Sequence, residues 1–234
     1  MVHHKPLQKE KKSGLNPILK FMTVSESYKS KTLLVHPSYF APIAQYACIE
    51  RAKNVVFECF DNYQKQTFRN RCYIYSPNGK QMLNIPILHT KGTKQRTSQV
   101  KIDNKYNWQS LHFKSPETSY RSSPFYEFYI DELMPVFERK WNYLIDLNLF
   151  THECIMDALE LNVPYTRTEH YINDHQMHDK RELVVAKNLK FLGLKPYFQL
   201  FEDRYGFIEN LSILDLLFMQ GPNATLYLEQ QQIL

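Results

Sequence analysis

Two short apolar runs separated by a helix-like stretch constrain the fold more than any other feature of this chain. The first run, residues 33–40, is interrupted by Pro37, and the second, residues 55–60, ends before Asp61. Between them, residues 43–52 have the apolar spacing of a helix. A strand, a turn, a helix and a strand in this order form the smallest unit of a parallel sheet. We therefore predict an α/β fold that begins with a β-α-β unit and a parallel sheet.

A β-hairpin is predicted after this unit. Residues 72–75 and 82–87 read as partner strands, and Asn78-Gly79 lies at the tip of the turn between them. A further short strand is predicted over residues 100–103, where apolar and polar residues alternate.

The second half of the chain is predicted to be mainly helical. One helix is expected from Trp108 to about residue 114, because Pro116 disfavours its continuation. Residues 125–161 predict two helices with a break near residues 148–151. A last compact helix over residues 213–219 is expected between a Ser cap and a Gly-Pro stop.

Length and composition favour one large domain with a tail. Residues 1–30 are polar and rich in lysine, which predicts a disordered basic tail, and Met22 is an alternative start. Residues 31–234 are then a single α/β domain with a helical second half. The net charge of +5 suits an anionic small molecule, whereas a nucleic-acid binder usually has a stronger basic stripe.

Cysteine usage and hydropathy predict a cytoplasmic protein without a membrane span. The four cysteines form no C-x-x-C pair, and two of them lie in apolar runs, so buried reduced thiols are expected. No apolar stretch approaches the roughly 20 residues that cross a bilayer. With only 6 glycines, the chain has no Gly-rich phosphate loop.

Polar side chains follow both predicted parallel strands. His36 and Asp61 lie where the strands end, the edge at which open α/β sheets bind ligands. His36 is a candidate general base, and Asp61 with Gln64 is a candidate to orient a hydroxyl-rich substrate or take a proton. The alternatives are a histidine that is only hydrogen-bonded and an aspartate that caps the following turn.

The run Arg69-Asn70-Arg71 is the candidate anion site. In an extended segment both guanidinium groups point to one side, where they can hold a phosphate or a carboxylate, and Asn70 points away. The alternative is a pair of surface arginines that form ion pairs of little energetic value.

Aromatic residues supply further candidates for ligand contact. Tyr39 and Phe40 are interpreted as a stacking floor for a sugar or base, and core packing is the alternative. Trp108 and His112 share a helical face and are candidates to line the pocket, although a core role for Trp108 is simpler. Tyr120 is a candidate donor beside a helix amino end.

A cluster of histidines and aspartates raises a metal hypothesis. Its members are His170, Asp174, His175, His178 and Asp179. Only His175 and His178 have helix-like spacing, and the register matches no known zinc motif. We therefore predict neither a metal site nor a cofactor.

Several of these runs together resemble the WbqC-like protein family from about residue 33 to the end. Ala41 departs from the pattern, because many members have proline directly after the Tyr-Phe pair. The residues that carry the resemblance are Pro37-Ser38-Tyr39-Phe40, Pro42, Tyr46, Phe60-Asp61, Phe68-Arg69-Asn70-Arg71, Ser76-Pro77-Asn78-Gly79, Trp108, His112, Tyr120, Pro124-Phe125, Gly206-Phe207-Ile208, residues 211–218 and Gly221-Pro222.

The resemblance implies a bacterial protein associated with O-antigen or other surface polysaccharides, with a suggested transfer of an amino acid onto a sugar. The first hypothesis is accordingly a transferase that modifies an activated, nucleotide-linked sugar. The alternative is a non-catalytic module that binds a nucleotide or polyanion. It is motivated by basic residues interleaved with aromatic ones, namely Lys91, Lys94, Arg96, Lys101, Lys105, Tyr106 and Trp108.

Overall fold

The computed structural model describes residues 31–88, 94–173, 176–187 and 190–233. The predicted disordered tail lies outside the described residues, and so do Lys91, Asp174 and His175.

A four-stranded parallel sheet with the strand order β5-β2-β1-β6 forms the centre of the fold. Its strands are β1 (Thr32–Val35), β2 (Asn54–Phe57), β5 (Tyr165–Arg167) and β6 (His178–Asp179). Helix α1 (Ile43–Glu50) connects β1 to β2. The apolar residues of β1 and β2 are buried on both faces, as expected for a covered parallel sheet. The prediction of an α/β fold with a β-α-β unit is confirmed.

An antiparallel hairpin forms a second, separate sheet from β3 (Arg71–Ser76) and β4 (Gly79–Asn84). Ser76 pairs with Gly79, so the turn has two residues, and Gly79 has the positive φ of +90° that favours glycine. Residues 100–103 form no regular strand, contrary to the prediction, and make only isolated bridges from Lys101 and Ile102.

The chain after the hairpin is mainly helical, as predicted. Its helices are α2 (Trp108–Tyr120), α3 (Tyr126–Glu138), α4 (Leu144–Ala158), α5 (Glu202–Tyr205), α6 (Ile213–Gln220) and α7 (Ala224–Glu229). Ser212 caps α6 by accepting a hydrogen bond from the backbone of Leu214.

Two predicted helix limits are wrong for identifiable reasons. Helix α2 continues through Pro116, which removes one backbone hydrogen bond, and its last turn is held by the buried Tyr120. The break predicted near residues 148–151 lies instead before Leu144, and α4 runs unbroken through Asn148 and Thr151. Both polar side chains are buried and hydrogen-bonded to backbone carbonyls, so their polarity does not mark a loop.

One apolar cluster joins the sheet to the helices and extends from Leu33 to Leu228. Tyr39 and Phe40 lie inside it with no exposed surface. This core fixes the carboxyl edge of the parallel sheet relative to the segments that follow each strand.

Candidate functional site

The carboxyl edge of the parallel sheet opens onto a cavity of about 620 Å³. Four of the predicted site residues line it together: His36 after β1, and Asp61, Gln64 and Arg69 after β2. Carboxyl ends of adjacent parallel strands lie at the same edge, which is why residues distant in sequence meet there.

Asp61 is the central carboxylate of this cavity. Arg69 Nη2 donates to its Oδ2 over 2.5 Å, and Thr97 Oγ1 donates to its Oδ1 over 2.6 Å. Burial raises the pKa of Asp61 above its ordinary value, and the nearby Arg69 charge and the Thr97 hydrogen bond oppose that rise. The carboxylate is thus fixed on both oxygens and cannot rotate freely.

Arg69 is the most deeply buried charge at the cavity, with 1% of its surface exposed. Its Nε and Nη1 have no hydrogen-bond partner within the described part of the chain. Asn148 positions the backbone at this point, because its Nδ2 donates to the carbonyls of Pro37 and Arg69 over 3.2 and 2.8 Å. Buried guanidinium donors without partners are costly, so Arg69 is a candidate to bind an anion.

His36 has a fixed tautomer. Its Nδ1 lies 3.2 Å from the Glu58 carbonyl oxygen, which can only accept, so Nδ1 carries the proton and donates. Burial, with the Arg69 charge as the next cause, lowers the pKa of His36 to about 3. The 3.7 Å contact between Nε2 and Asp61 Oδ2 is therefore not a salt bridge at neutral pH. His36 presents an unprotonated Nε2 beside a carboxylate, and with so low a pKa it is a weak base at neutral pH unless a bound anion offsets the Arg69 charge.

Glu58 ties the segment after β5 to the edge of the sheet. Its Oε1 accepts from Thr168 Oγ1 over 3.0 Å, and its Oε2 accepts from the backbone of Ile172 over 2.9 Å. Arg181 Nη1 donates to the Ile172 carbonyl and lies 3.7 Å from Glu58 Oε2. Neither charged residue is among those predicted from the sequence. Glu58 could have been found from the sequence, because it is a charged residue inside the apolar run 55–60. Arg181 could not, because it lies in a polar segment where no pattern distinguishes it from its neighbours.

Two further arginines line the cavity, and one of them, Arg181, is already paired with Asp179 through its Nε and Nη2. Arg181 lies over the ring of Tyr171 with 5.3 Å to the centroid, and Arg96 lies over the ring of Phe60 with 5.8 Å. Arg96 is exposed and forms no ion pair with any residue that the structure describes. The cavity therefore combines one buried, one half-buried and one exposed guanidinium group.

Arg71 does not join this group, contrary to the prediction of two convergent guanidinium groups. Its Nη1 lies 3.6 Å from Met82 Sδ on the hairpin, and it is not among the residues that line the cavity. Arg69 lies before β3 in a turn, so the alternation that the prediction assumed does not apply. Asn70 donates to Asn84 and to the Ile85 carbonyl, which is a structural role.

The aromatic candidates belong to the core and not to the cavity. Tyr39 and Phe40 are fully buried, so neither can stack on a ligand in this structure. Tyr39 Oη lies 3.0 Å from His112 Nδ1, and the Trp108 ring packs against both, with His112 and Trp108 3–4% exposed. The core alternative is the correct interpretation for this cluster, which contains Phe40, Tyr39, Trp108 and His112.

Tyr120 is not an anion-binding donor either. Its hydroxyl donates to Asp215 Oδ1 over 2.6 Å and accepts from the backbone N–H of Tyr75 over 2.8 Å. Tyr197 and Gln199 also donate to Asp215, so this fully buried carboxylate joins α2, α6 and the segment before α5. Burial raises the pKa of Asp215. The network is structural.

Neither metal ligation nor membrane crossing finds a structural basis in the part of the chain that the structure describes. No group of three or more potential ligand residues there is arranged to hold a metal ion. None of its helices combines the length and apolar character needed to cross a bilayer.

Comparison with known proteins gives one result that bears on identity. The model of the WbqC-like protein family matches residues 37–190, about two thirds of the chain. This range begins one residue after His36 and contains Asp61 and Arg69. Neither the curated proteins nor the solved structures gave a match. The resemblance noted in the sequence is confirmed over these residues: the chain belongs to the WbqC-like protein family.

Proposed function

We propose that this protein is a transferase that modifies an activated, nucleotide-linked sugar, and that the cavity at the carboxyl edge of the parallel sheet is its active site. The observation that carries the proposal is the buried Arg69, which lines the cavity. Among the described residues, its side chain pairs with Asp61 alone and keeps two N–H groups without a partner. A structural ion pair alone does not require unpaired donors at that depth.

The cavity suits an anionic small molecule. Its volume of about 620 Å³ lies within the range of small-molecule sites, roughly 300–1,000 Å³. Arg96 provides an exposed guanidinium fork that matches phosphate oxygens by paired, charge-assisted hydrogen bonds, and Arg69 has two further N–H groups without a described partner. Arg181 adds positive charge, although its Nε and Nη2 already donate to Asp179. A phosphate or diphosphate is the anionic part of every nucleotide-linked sugar, and Gln64 adds an amide for a hydroxyl or carbonyl group.

Proton transfer is assigned to His36 with the help of Asp61. An anion bound at Arg69 offsets the positive charge that helps to lower the pKa of His36, so that its unprotonated Nε2 can take the proton of the attacking sugar hydroxyl or amine while that group forms its bond to the acyl carbon of the donor. The Asp61 carboxylate at 3.7 Å stabilises the imidazolium that forms, and the imidazolium gives the proton to the group that leaves the acyl carbon. The carbonyl of Glu58 holds the ring orientation throughout by accepting from Nδ1.

The biological setting follows the family. O-antigen or another bacterial surface polysaccharide is the pathway class that the WbqC-like family suggests, and aminoacyl transfer is one form that the reaction takes in this proposal. The four cysteines are free thiols, which supports a reducing compartment such as the cytoplasm.

Calorimetric titration with UDP-sugars and with UDP tests the binding step. Arg96→Gln removes an exposed charge without breaking an ion pair, and we expect about tenfold weaker binding, as for the loss of one hydrogen bond to a charged group. Arg71→Gln is the matched control, since Arg71 lies outside the cavity, and its affinity stays at the wild-type value. Equal losses in both variants would contradict the assignment of the site.

Turnover separates the proposal from the non-catalytic alternative. Mass spectrometry of a nucleotide sugar incubated with the protein and aminoacyl donors detects any covalent product. His36→Gln should abolish the product and retain nucleotide binding. Tight binding without product for every donor would favour a binding module.

A further inference from the structure

A second cavity of about 750 Å³ shares the lining residue Phe60 with the first. It is formed by the carboxyl ends of β2 and β5 and by the first turn of α4, with side chains that include Tyr143, Asp146 and Arg167. It does not include His36, Asp61 or Arg69.

The two cavities are neighbours along one edge of the sheet. Phe60 lines both of them. Ser98 lines the second cavity, and the adjacent Thr97 donates to Asp61 in the first. Molecules that fill the two cavities therefore both lie against Phe60.

The charges in the second cavity are opposite to those in the first. Asp146 and Glu169 contribute two carboxylates against the single guanidinium of Arg167. None of the three forms an ion pair or a side-chain hydrogen bond with another described residue. An excess of negative charge opposes a phosphate or carboxylate ligand, whereas free carboxylates accept strongly from hydroxyl groups.

The same cavity offers aromatic surface as well as polar groups. Tyr143 is 38% exposed, and Tyr165 contributes a partly buried ring. Rings beside carboxylates and a guanidinium group suit a molecule with an apolar ring face and many hydroxyl groups.

We propose that this second cavity is a co-substrate subsite that binds a polyhydroxylated ring, such as a pyranoside, that carries no anionic group. The assignment as co-substrate rests on the proposed function, because it places this molecule beside the anionic substrate held by Arg69. The charge selectivity of the subsite is independent of that function and is tested by itself.

Saturation-transfer NMR and calorimetry on the full chain provide the test, with two probes. The neutral probe is a panel of methyl glycosides of glucose, galactose, mannose and N-acetylglucosamine, and the anionic probe is UDP. In the double variant Asp146→Asn/Glu169→Gln we expect at least one glycoside that binds the wild type to bind about tenfold more weakly. UDP binding stays unchanged. The matched control is Asp131→Asn/Glu132→Gln, which alters two exposed carboxylates on α3 outside both cavities.

The outcomes separate the two proposals. If no glycoside binds the wild type, or if the double variant binds glycosides as the wild type does, the subsite proposal is overturned. If glycosides bind in the expected way and UDP does not bind at all, the subsite stands and the proposed function fails. Tighter binding of glucuronic acid by the double variant than by the wild type would support the charge argument directly.

Discussion

The pairing of Asp61 with Arg69 makes a specific prediction about stability. Asp61→Asn keeps the shape of the side chain and removes the one carboxylate that Arg69 contacts among the residues that the structure describes. It leaves a guanidinium group that is 1% exposed without that counter-charge. Removing one partner of a buried ion pair costs about 3–5 kcal/mol. We expect the low end, about 3 kcal/mol, because the amide oxygen still accepts one hydrogen bond. For a chain of this size the loss corresponds to a fall of about 9 °C in Tm.

Arg69→Met and the double variant Asp61→Asn/Arg69→Met complete a double-mutant cycle that measures the coupling between the two side chains. Arg69→Met removes the two N–H groups without described partners but leaves the Asp61 carboxylate without its counter-charge. We expect a loss of about 2 kcal/mol, because Asp61 is less buried than Arg69 and keeps its hydrogen bond from Thr97. A buried ion pair replaced by uncharged groups of similar volume is often neutral in stability, so the double variant should lie within about 1 kcal/mol of the wild type. It should nevertheless have lost UDP binding.

Urea unfolding at pH 7, followed by the fluorescence of the two tryptophans, measures all four free energies of unfolding. The signature is strong non-additivity, with the double variant more stable than Asp61→Asn alone. Two results would refute this reasoning: the losses in the free energy of unfolding of the two single variants simply add, or Asp61→Asn unfolds at the same urea concentration as the wild type. In either case Arg69 is not a buried charge that Asp61 stabilises, and the candidate site loses its basis.

Three further predictions concern residues outside the cavity. Burial lowers the pKa of His152 from 6.5 to about 4, so between pH 7 and pH 5 the unfolded chain takes up a proton at this residue and the folded chain does not. The wild type therefore loses stability over that interval, and in His152→Phe this loss should be smaller by about 2 kcal/mol, measured by urea unfolding at both pH values. Tyr39→Phe deprives the buried His112 Nδ1 of its partner and should cost about 1 kcal/mol while UDP affinity stays constant; a weaker UDP complex would restore a ligand role for Tyr39. Gly221→Ala places a Cβ 2.5 Å from the ring of Phe125 at a φ of +50° and should cost about 3 kcal/mol by thermal unfolding, and an unchanged Tm would refute the close packing.

The part of the fold that could be predicted from sequence is the part with local, periodic signals. The apolar runs of β1 and β2 and the spacing of α1 specified the β-α-β unit. That unit in turn brought His36 and Asp61 to one edge, because adjacent parallel strands end together.

The rest depended on tertiary contacts that leave no local pattern. Strand β6 has two residues and lies in a polar segment, so periodicity cannot reveal it or the Arg181 that follows. Asn148 is polar and buried because it serves backbone carbonyls elsewhere, which a sequence pattern cannot distinguish from a loop. For Tyr39, the choice between core and ligand contact depended on burial alone, and burial is set by α2.

The strand order has a consequence for how the protein is made. Leu33 pairs with His178, and Val55 pairs with Tyr165, so the two central strands leave the ribosome more than a hundred residues before their outer neighbours. Until translation reaches them, both sides of the nascent β1–β2 pair remain uncovered templates for association with other chains. Folding is slow when strands that pair with each other are far apart in the sequence. Chains that terminate before residue 165 should therefore be recovered in the insoluble fraction.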